Sequence, residues 1–141
     1  MADDREVLAH LGNVPFFSGL GGKLLKTIAN SGKEISFNAG VTIVKQGRMG
    51  VGFFLILDGQ VEVQKGGKVL AKLSKGQFFG EMSLIDDMPR SADVVAVQPT
   101  RCFGLTSWTF SGILKENPEM AMPILKEVVK RLRAAQISPT S

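Results

Sequence analysis

The chain has 141 residues, 44% apolar and 21% charged, which is enough to bury one continuous core and excludes a wholly disordered chain. Its net charge of +4 is modest, and the sequence contains no helix-turn-helix or similar module, so nucleic-acid binding is not predicted. No apolar run approaches the roughly 18 residues of a membrane span, and the acidic start at Met1–Glu6 argues against a secretory leader.

The first part of the chain, residues 3–31, is predicted to be helical. Apolar residues recur there at helical spacing in two stretches, which an interruption at Gly12-Asn13 separates. These apolar residues are Val7, Leu8, Leu11, Leu24, Leu25 and Ile28. The apolar turn Pro15–Phe17 lies between the stretches and is expected to dock onto the body of the fold.

Residues 34–106 are predicted to be rich in strands. Short runs of β-branched and aromatic residues alternate with turn sequences, and intervening helices are not predicted. The runs are Thr42–Lys45, Phe53–Leu57, Gln60–Gln64, Val69–Leu73, Asp93–Val97 and Arg101–Leu105. Asp58-Gly59 and Gly66-Gly67 are predicted to close β-hairpins. So many short strands indicate an antiparallel sandwich or barrel.

Residues 107–136 are predicted to be helical, with Ser107 and Asn117 as N-caps and Pro118 in a first turn. An apolar stripe follows that either packs in the core or forms a lid or dimer interface, and its spacing does not decide between these. Its members are Met122, Leu125, Val128, Val129 and Leu132. The cations of this helix are expected to form a solvated face: Lys126, Lys130, Arg131 and Arg133.

The segment Gly76–Ala92 departs from the strand pattern and contains candidates for ligand binding. A short helical turn there would expose backbone N–H groups from Ser83 onward, an arrangement that favours anions. Arg90 would add a fixed positive charge. Glu81 would repel a phosphate and suits a hydroxyl donor such as a ribose 2′-OH. The alternatives are a solvated turn acid for Glu81 and a surface role for Arg90.

Phe79–Glu81 together with Pro89–Ala92 resembles the phosphate-binding cassette of cyclic-nucleotide-binding domains. Three further segments are similar to that family, and the resemblance extends over about residues 16–133. These are Gly40–Gly47, Phe54–Val61 and Asn117–Glu119. The resemblance implies a mainly β fold: one domain over residues 1–141, with an antiparallel jelly-roll-like β-roll, N-terminal helices and C-terminal B and C helices.

The resemblance also implies a ligand, cAMP or cGMP, and the residues that bind it. Arg90 would pair with the cyclic phosphate, together with the amides of Ser83 and Ser91, and Glu81 would accept the ribose 2′-hydroxyl. Leu84 would be the hinge residue that repacks against the C-terminal helices. The implied ligand-binding residues are Phe79, Gly80, Glu81, Met82, Ser83, Arg90, Ser91 and Ala92.

Other classes of protein fit the sequence less well. A metal-dependent jelly roll needs several histidines and carboxylates, but His10 is the single histidine and lies in a predicted helix, so no metal is expected. Ser83 and Ser91 lack a basic partner for nucleophilic catalysis, so we predict a binding module and not an enzyme. An interaction module that uses no nucleotide remains the alternative.

The compartment and the partners are predicted less directly. Cys102 lies in an apolar-rich segment and is expected to be a buried thiol. A single cysteine allows no internal disulfide, which favours the cytoplasm. The expected partners are a cyclic mononucleotide, a separate effector protein and a second copy bound through the C-terminal helix, with neither nucleic acid nor a membrane span.

Overall fold

The computed structural model describes residues 4–49, 52–86 and 88–136, so the predicted helix start at Asp3 and the predicted polar tail Ile137–Ser141 lie outside it. The helices are α1 (Asp4–Leu11), α2 (Gly22–Ser31), α3 (Ser107–Glu116) and α4 (Ala121–Ala135), with 3-10 helices at Glu81–Leu84 and Pro118–Met120. No helix within the described residues is long and apolar enough to cross a membrane.

In the described ranges of the chain, eight strands form two four-stranded antiparallel sheets, which confirms the predicted fold class. The strands are β1 (Lys33–Phe37), β2 (Thr42–Val44), β3 (Gly52–Asp58), β4 (Gln60–Lys65), β5 (Lys68–Ser74), β6 (Phe78–Phe79), β7 (Asp93–Ala96) and β8 (Thr100–Thr106). The first sheet has the order β1-β8-β3-β6 and the second the order β2-β7-β4-β5.

Strand β3 is buried on both faces, which explains its continuous run of apolar residues. Phe54 and Ile56 belong to a core cluster between the two sheets. Phe53, Leu55 and Leu57 point the other way and belong to a second cluster, which the helices cover. Since side chains alternate along a strand, a strand covered on both sides needs apolar residues at every position.

The predicted hairpin at Asp58-Gly59 is wrong, because β3 and β4 lie in different sheets and do not pair. Gly59 instead turns the chain from one sheet to the other, with a φ of 103°. A Cβ atom there would lie 2.6 Å from the Pro99 carbonyl oxygen, so this crossing requires glycine. Gly66-Gly67 does close a hairpin between β4 and β5, with Lys65 paired to Lys68.

The start of α3 differs from the prediction. Thr106, not Ser107, is the N-cap, and its hydroxyl accepts a hydrogen bond from the Thr109 amide. Asn117 is the C-cap of α3 and also the N-cap of the 3-10 helix Pro118–Met120, so its predicted position before Pro118 is confirmed. Its side-chain amide donates to the Ile113 carbonyl at 2.9 Å and does not cap the 3-10 helix. The Asn117 backbone N–H donates to the same Ile113 carbonyl at 2.9 Å, so both the backbone and the side chain of Asn117 close the end of α3.

The apolar stripe of α4 does not pack in the core, because all five of its members are between 40% and 59% exposed. The buried positions of this part of the chain are Met120 and Ile124 instead. Core packing within one chain is therefore excluded for the stripe, and the lid and the dimer interface remain.

Arg101, on β8, joins α1 to the β-roll. Its guanidinium donates to both carboxylate oxygens of Glu6, at 3.0 and 2.9 Å, and to Glu34 at 2.8 Å. The hydrogen bonds from Arg101 hold the pKa of Glu6 below its ordinary value of 4.5. An arginine that binds one carboxylate through two hydrogen bonds and a second carboxylate through another stabilises a fold more than an isolated surface ion pair does.

Replacing Arg101 by methionine is expected to lower the free energy of unfolding by about 1 kcal/mol at pH 7. Because the folded-state pKa of Glu6 is depressed, this stabilisation is present above pH 4.5 and is lost as the pH falls through the folded pKa. Urea unfolding of both proteins from pH 7 to pH 2.5 measures it. A difference that stayed constant over this range would contradict the pairing, and Arg48→Met, at an exposed arginine, is the control.

Candidate functional site

The candidate site begins where β6 ends, at Gly80. This residue has a φ of 85° and directly precedes the 3-10 helix Glu81–Leu84. A Cβ atom at Gly80 would lie 2.5 Å from Nη1 of Arg90 and 2.5 Å from the Gly52 carbonyl oxygen. Position 80 therefore requires glycine for two reasons: the backbone is left-handed there, and the Arg90 guanidinium approaches it closely.

Arg90 is held at both its backbone and its side chain. Its N–H donates to the Arg48 carbonyl at 2.9 Å, and its carbonyl accepts from the Gly47 N–H at 2.9 Å. Its Nη2 donates to the Gly52 carbonyl. Within the described part of the chain, its buried Nε has no hydrogen-bond partner. One buried donor of the guanidinium is therefore left unsatisfied by the described residues.

Burial lowers the pKa of Arg90, while the carboxylates of Glu81 and Asp86 counteract this effect. An arginine nevertheless remains a cation in a protein, because its ordinary pKa lies above 12. The site therefore presents a partly desolvated positive charge, which binds an anion more strongly than a surface arginine does.

Glu81 pairs with a residue that the sequence analysis did not assign to the site. Its Oε1 accepts a hydrogen bond from Nη1 of Arg131 at 2.8 Å. Arg131 lies on α4, but its side chain is only 27% exposed and pairs with Glu81. The expectation that Arg131 belongs to a solvated face is therefore wrong. The same guanidinium donates from Nε to Glu127 at 2.9 Å and lies 4.7 Å from the centre of the Phe16 ring.

The two serines differ in position. Ser83 is buried, and its amide donates to the Gly80 carbonyl at 3.1 Å, so the prediction that this amide is exposed to an anion is wrong. A 3-10 helix uses the amide of its third residue in its own first turn. Ser91 is exposed and precedes β7.

The remaining predicted residues divide between the cavity and the core. Met82 is 58% exposed, whereas Leu84 is buried and belongs to the same core cluster as Phe110 of α3 and Ile124 of α4. Phe79 is also buried and stacks on Phe54, with 5.2 Å between the ring centres. Phe79 and Leu84 therefore anchor the site in the core of the domain.

A cavity of about 270 Å³ brings the polar candidates together. Its lining adds two residues from outside the two predicted motif segments, Asp86 and Met88, and Phe79 and Ala92 do not belong to it. The lining comprises Gly80, Glu81, Met82, Ser83, Asp86, Met88, Pro89, Arg90 and Ser91. Among the described residues, no group of three potential metal ligands lies together.

A guanidinium, a serine and a carboxylate around one cavity, at the side of a β-roll, suit a ligand that has both an anionic group and hydroxyl groups. A phosphorylated sugar is a ligand of this kind. The family model of the cyclic nucleotide-binding domain matches residues 34–117, and the chain belongs to this family.

Two curated relatives and one solved structure show the range of similar proteins. A cAMP-dependent protein kinase regulatory subunit of Schizosaccharomyces pombe is 36% identical over 105 residues, which are 74% of this chain and 26% of that protein. The cyclic AMP receptor protein of Thermus thermophilus is 30% identical over 128 residues, 87% of this chain and 59% of that protein. The N-terminal domain of a transcriptional regulator from Streptomyces coelicolor superimposes with a TM-score of 0.80 at 26% identity, covering 93% of this chain and 99% of that one.

The similarity covers only part of the curated relatives. The chain spans between 18% and 26% of the length of the three protein kinase regulatory subunits that it matches. The relatives named here are regulatory or receptor proteins, and the predicted resemblance to the cyclic-nucleotide-binding family is confirmed.

Proposed function

We propose that the chain is a single-domain regulatory module that binds a cyclic mononucleotide, cAMP or cGMP, in the cavity beside Gly80. The observation that best supports this proposal is the partly desolvated guanidinium of Arg90, which lines the same cavity as the Glu81 carboxylate. A cyclic ribose phosphate offers one negative charge for the arginine and one 2′-hydroxyl for the carboxylate. The names of the two curated relatives favour cAMP.

Five of the lining residues have a proposed role in binding. Arg90 pairs with the cyclic phosphate, and the exposed Ser91 adds its hydroxyl and its amide. Glu81 accepts the ribose 2′-hydroxyl. Gly80 allows the guanidinium to approach the backbone. Ser83 contributes its side chain rather than its amide, since the amide is used within the 3-10 helix.

We propose that the switch passes through Leu84 to the C-terminal helices. Leu84 is the last residue of the 3-10 helix of the site and is buried with residues of α3 and α4. A movement of the 3-10 helix therefore changes how Leu84 packs against α3 and α4. Binding shifts such an equilibrium only by the difference in affinity between the two states. The output would then act on a separate effector protein.

We propose binding without catalysis. Catalysis by Ser83 or Ser91 would need a basic side chain such as a histidine. The single histidine, His10, lies on α1 beside Gly76: a Cβ atom added to Gly76 would lie 3.1 Å from Nδ1 of His10. The expected cytoplasmic location belongs to the same proposal, because the single cysteine, Cys102, is fully buried and is not used in a disulfide.

We also propose that a second copy binds through α4. Met122, Leu125, Val129 and Leu132 are exposed and follow one another at intervals of three, four and three residues. This is the a/d spacing of a coiled-coil seam, and Leu125 and Leu132 would occupy its two d positions. The same residues would then become buried between two copies.

Calorimetric titration with cAMP, cGMP and a cyclic dinucleotide tests the proposal, with the oligomeric state measured by light scattering in the same samples. We expect one site per chain for cAMP or cGMP and much weaker binding of the dinucleotide, because the cavity of about 270 Å³ has a single arginine in its lining. Absent heat and unchanged melting temperature at saturating cAMP and cGMP would instead favour an interaction module that uses no nucleotide.

A further inference from the structure

The cavity beside Gly80 holds more negative than positive charge. Three of the described residues in its lining are charged, namely Arg90, Glu81 and Asp86. Glu81 has a cation of its own, because Arg131 on α4 pairs with it at 2.8 Å. Asp86 forms no ion pair with any residue that the structure describes. An anionic ligand in this cavity therefore meets one arginine together with the unpaired carboxylate of Asp86.

Asp86 is held directly after the 3-10 helix of the site. Its backbone N–H donates to the Met82 carbonyl at 3.0 Å, and its Oδ1 accepts a long hydrogen bond from the Met88 N–H at 3.4 Å. Burial lowers the pKa of Arg90, whereas the charges of Glu81 and Asp86 raise it, so the Asp86 carboxylate acts on this guanidinium. A carboxylate that attracts the arginine also repels an anion bound to that arginine.

The charge of the ligand decides how strongly this repulsion acts. A cyclic phosphate is a diester and carries one negative charge, whereas a phosphate monoester carries about 1.5 to 2 at pH 7. Because Coulomb energy is proportional to charge, Asp86 repels the monoester up to about twice as strongly as the cyclic diester. Arg90 alone would favour the monoester for the same reason, and Asp86 offsets this preference.

We propose that Asp86 is a specificity-determining residue that disfavours nucleoside monophosphates relative to cyclic mononucleotides. Its charge offsets the advantage that a second negative charge on the ligand would otherwise gain at Arg90. A binding site can reject a competitor in this way, by placing an unpaired like charge against it. The inference rests on the proposed function, since it concerns which phosphate the same cavity accepts.

The size of the cavity decides whether salt and water remove this repulsion, since the Asp86 side chain is exposed. A sphere of about 270 Å³ is roughly 8 Å across, which is close to the Debye length at physiological ionic strength. The repulsion between Asp86 and a phosphate in the cavity is therefore only partly screened. This distinguishes Asp86 from a solvated acid in a distant turn, whose effect on the ligand would be screened.

The test compares cAMP with 5′-AMP in the wild type and in Asp86→Asn, or the guanine nucleotides if cGMP binds more tightly. Asparagine keeps the size of the side chain and an oxygen for the Met88 N–H, but it removes the charge. Each nucleotide displaces a fluorescent cAMP analogue at pH 8 in the presence of a chelator, so that 5′-AMP is doubly charged and free of divalent cations. We expect both nucleotides to bind Asp86→Asn more tightly, with a preference for cAMP about three- to tenfold smaller than in the wild type.

Three controls separate charge from other causes. The methyl ester of 5′-AMP has an open phosphate but one charge, so its affinity should rise in Asp86→Asn by the same factor as that of cAMP. Glu116→Gln removes an exposed carboxylate that does not line the cavity, so it should keep the wild-type preference. In 1 M salt the Debye length falls to about 3 Å, so the effect of Asp86→Asn on the preference should largely disappear.

The other results would contradict either this inference or the proposed function. An unchanged preference in Asp86→Asn would overturn the inference while the proposed function stands. An equal extra gain for 5′-AMP and its methyl ester would show selection against the open phosphate rather than against charge. A smaller preference that persists in 1 M salt and is absent in Asp86→Ala would show a new hydrogen bond from the asparagine amide, and would also overturn the inference. A wild type that binds neither cAMP nor cGMP would overturn the proposed function itself.

Discussion

Replacing Arg90 by alanine is expected to weaken binding of the cyclic nucleotide by about 30-fold to several thousandfold. The guanidinium is partly buried, is held by the Gly52 carbonyl and lines the same cavity as Glu81. Its removal leaves the phosphate in a cavity that still contains Glu81 and Asp86, both of which repel it. Calorimetric titration of the variant measures the loss.

Two further variants separate the possible reasons for this loss. Arg48→Ala removes an exposed cation but keeps the backbone carbonyl that holds Arg90, so its affinity should stay close to the wild type. Arg90→Lys keeps the charge and loses the fork of donors, so it should bind with intermediate affinity. Equal losses in Arg48→Ala and Arg90→Ala would show that net charge, and not this site, attracts the ligand.

Replacing Leu84 by alanine is expected to lower the free energy of unfolding by about 2–5 kcal/mol. Leu84 is 4% exposed and belongs to the core cluster that joins the site to α3 and α4. The truncation removes apolar contacts and leaves a cavity under the 3-10 helix. Chemical denaturation, with the slope compared between proteins, measures the change.

Met82 provides a matched control on the same short helix. It is 58% exposed, so Met82→Ala should change the free energy of unfolding by no more than about 0.5 kcal/mol. If Leu84→Ala were as stable as Met82→Ala, the 3-10 helix would not be anchored in the core, and the proposed path from the site to the C-terminal helices would be wrong.

The sequence predicted most of the strands, because their β-branched and aromatic runs are local properties. It failed at Asp58-Gly59, where a dipeptide typical of hairpins is also what a chain needs to cross between sheets. The difference lies in the partner strands, β8 for β3 and β7 for β4, and these are distant in sequence. Two short strands, β1 and β6, were not recognised individually for the same reason.

The site was predictable where its residues form a contiguous motif. Gly80, Glu81 and Arg90 fall within one segment, and the structure brings all three together at one cavity. Arg131 was not predictable, because its spacing to Glu127 is that of an ordinary exposed pair on a helix. Its pairing with Glu81 arises from the packing of α4 on the site, which no local pattern encodes.

The pairing of β1 with β8 has a consequence for how the domain folds. The hydrogen bond between Arg101 and Glu34 joins residues 67 positions apart, and Gly52, which accepts from Arg90, lies on a neighbouring strand of the same sheet. Contacts of such long sequence separation form late and slowly, since a large loop must close first. The arginine of the site is therefore expected to reach its final place only near the end of folding.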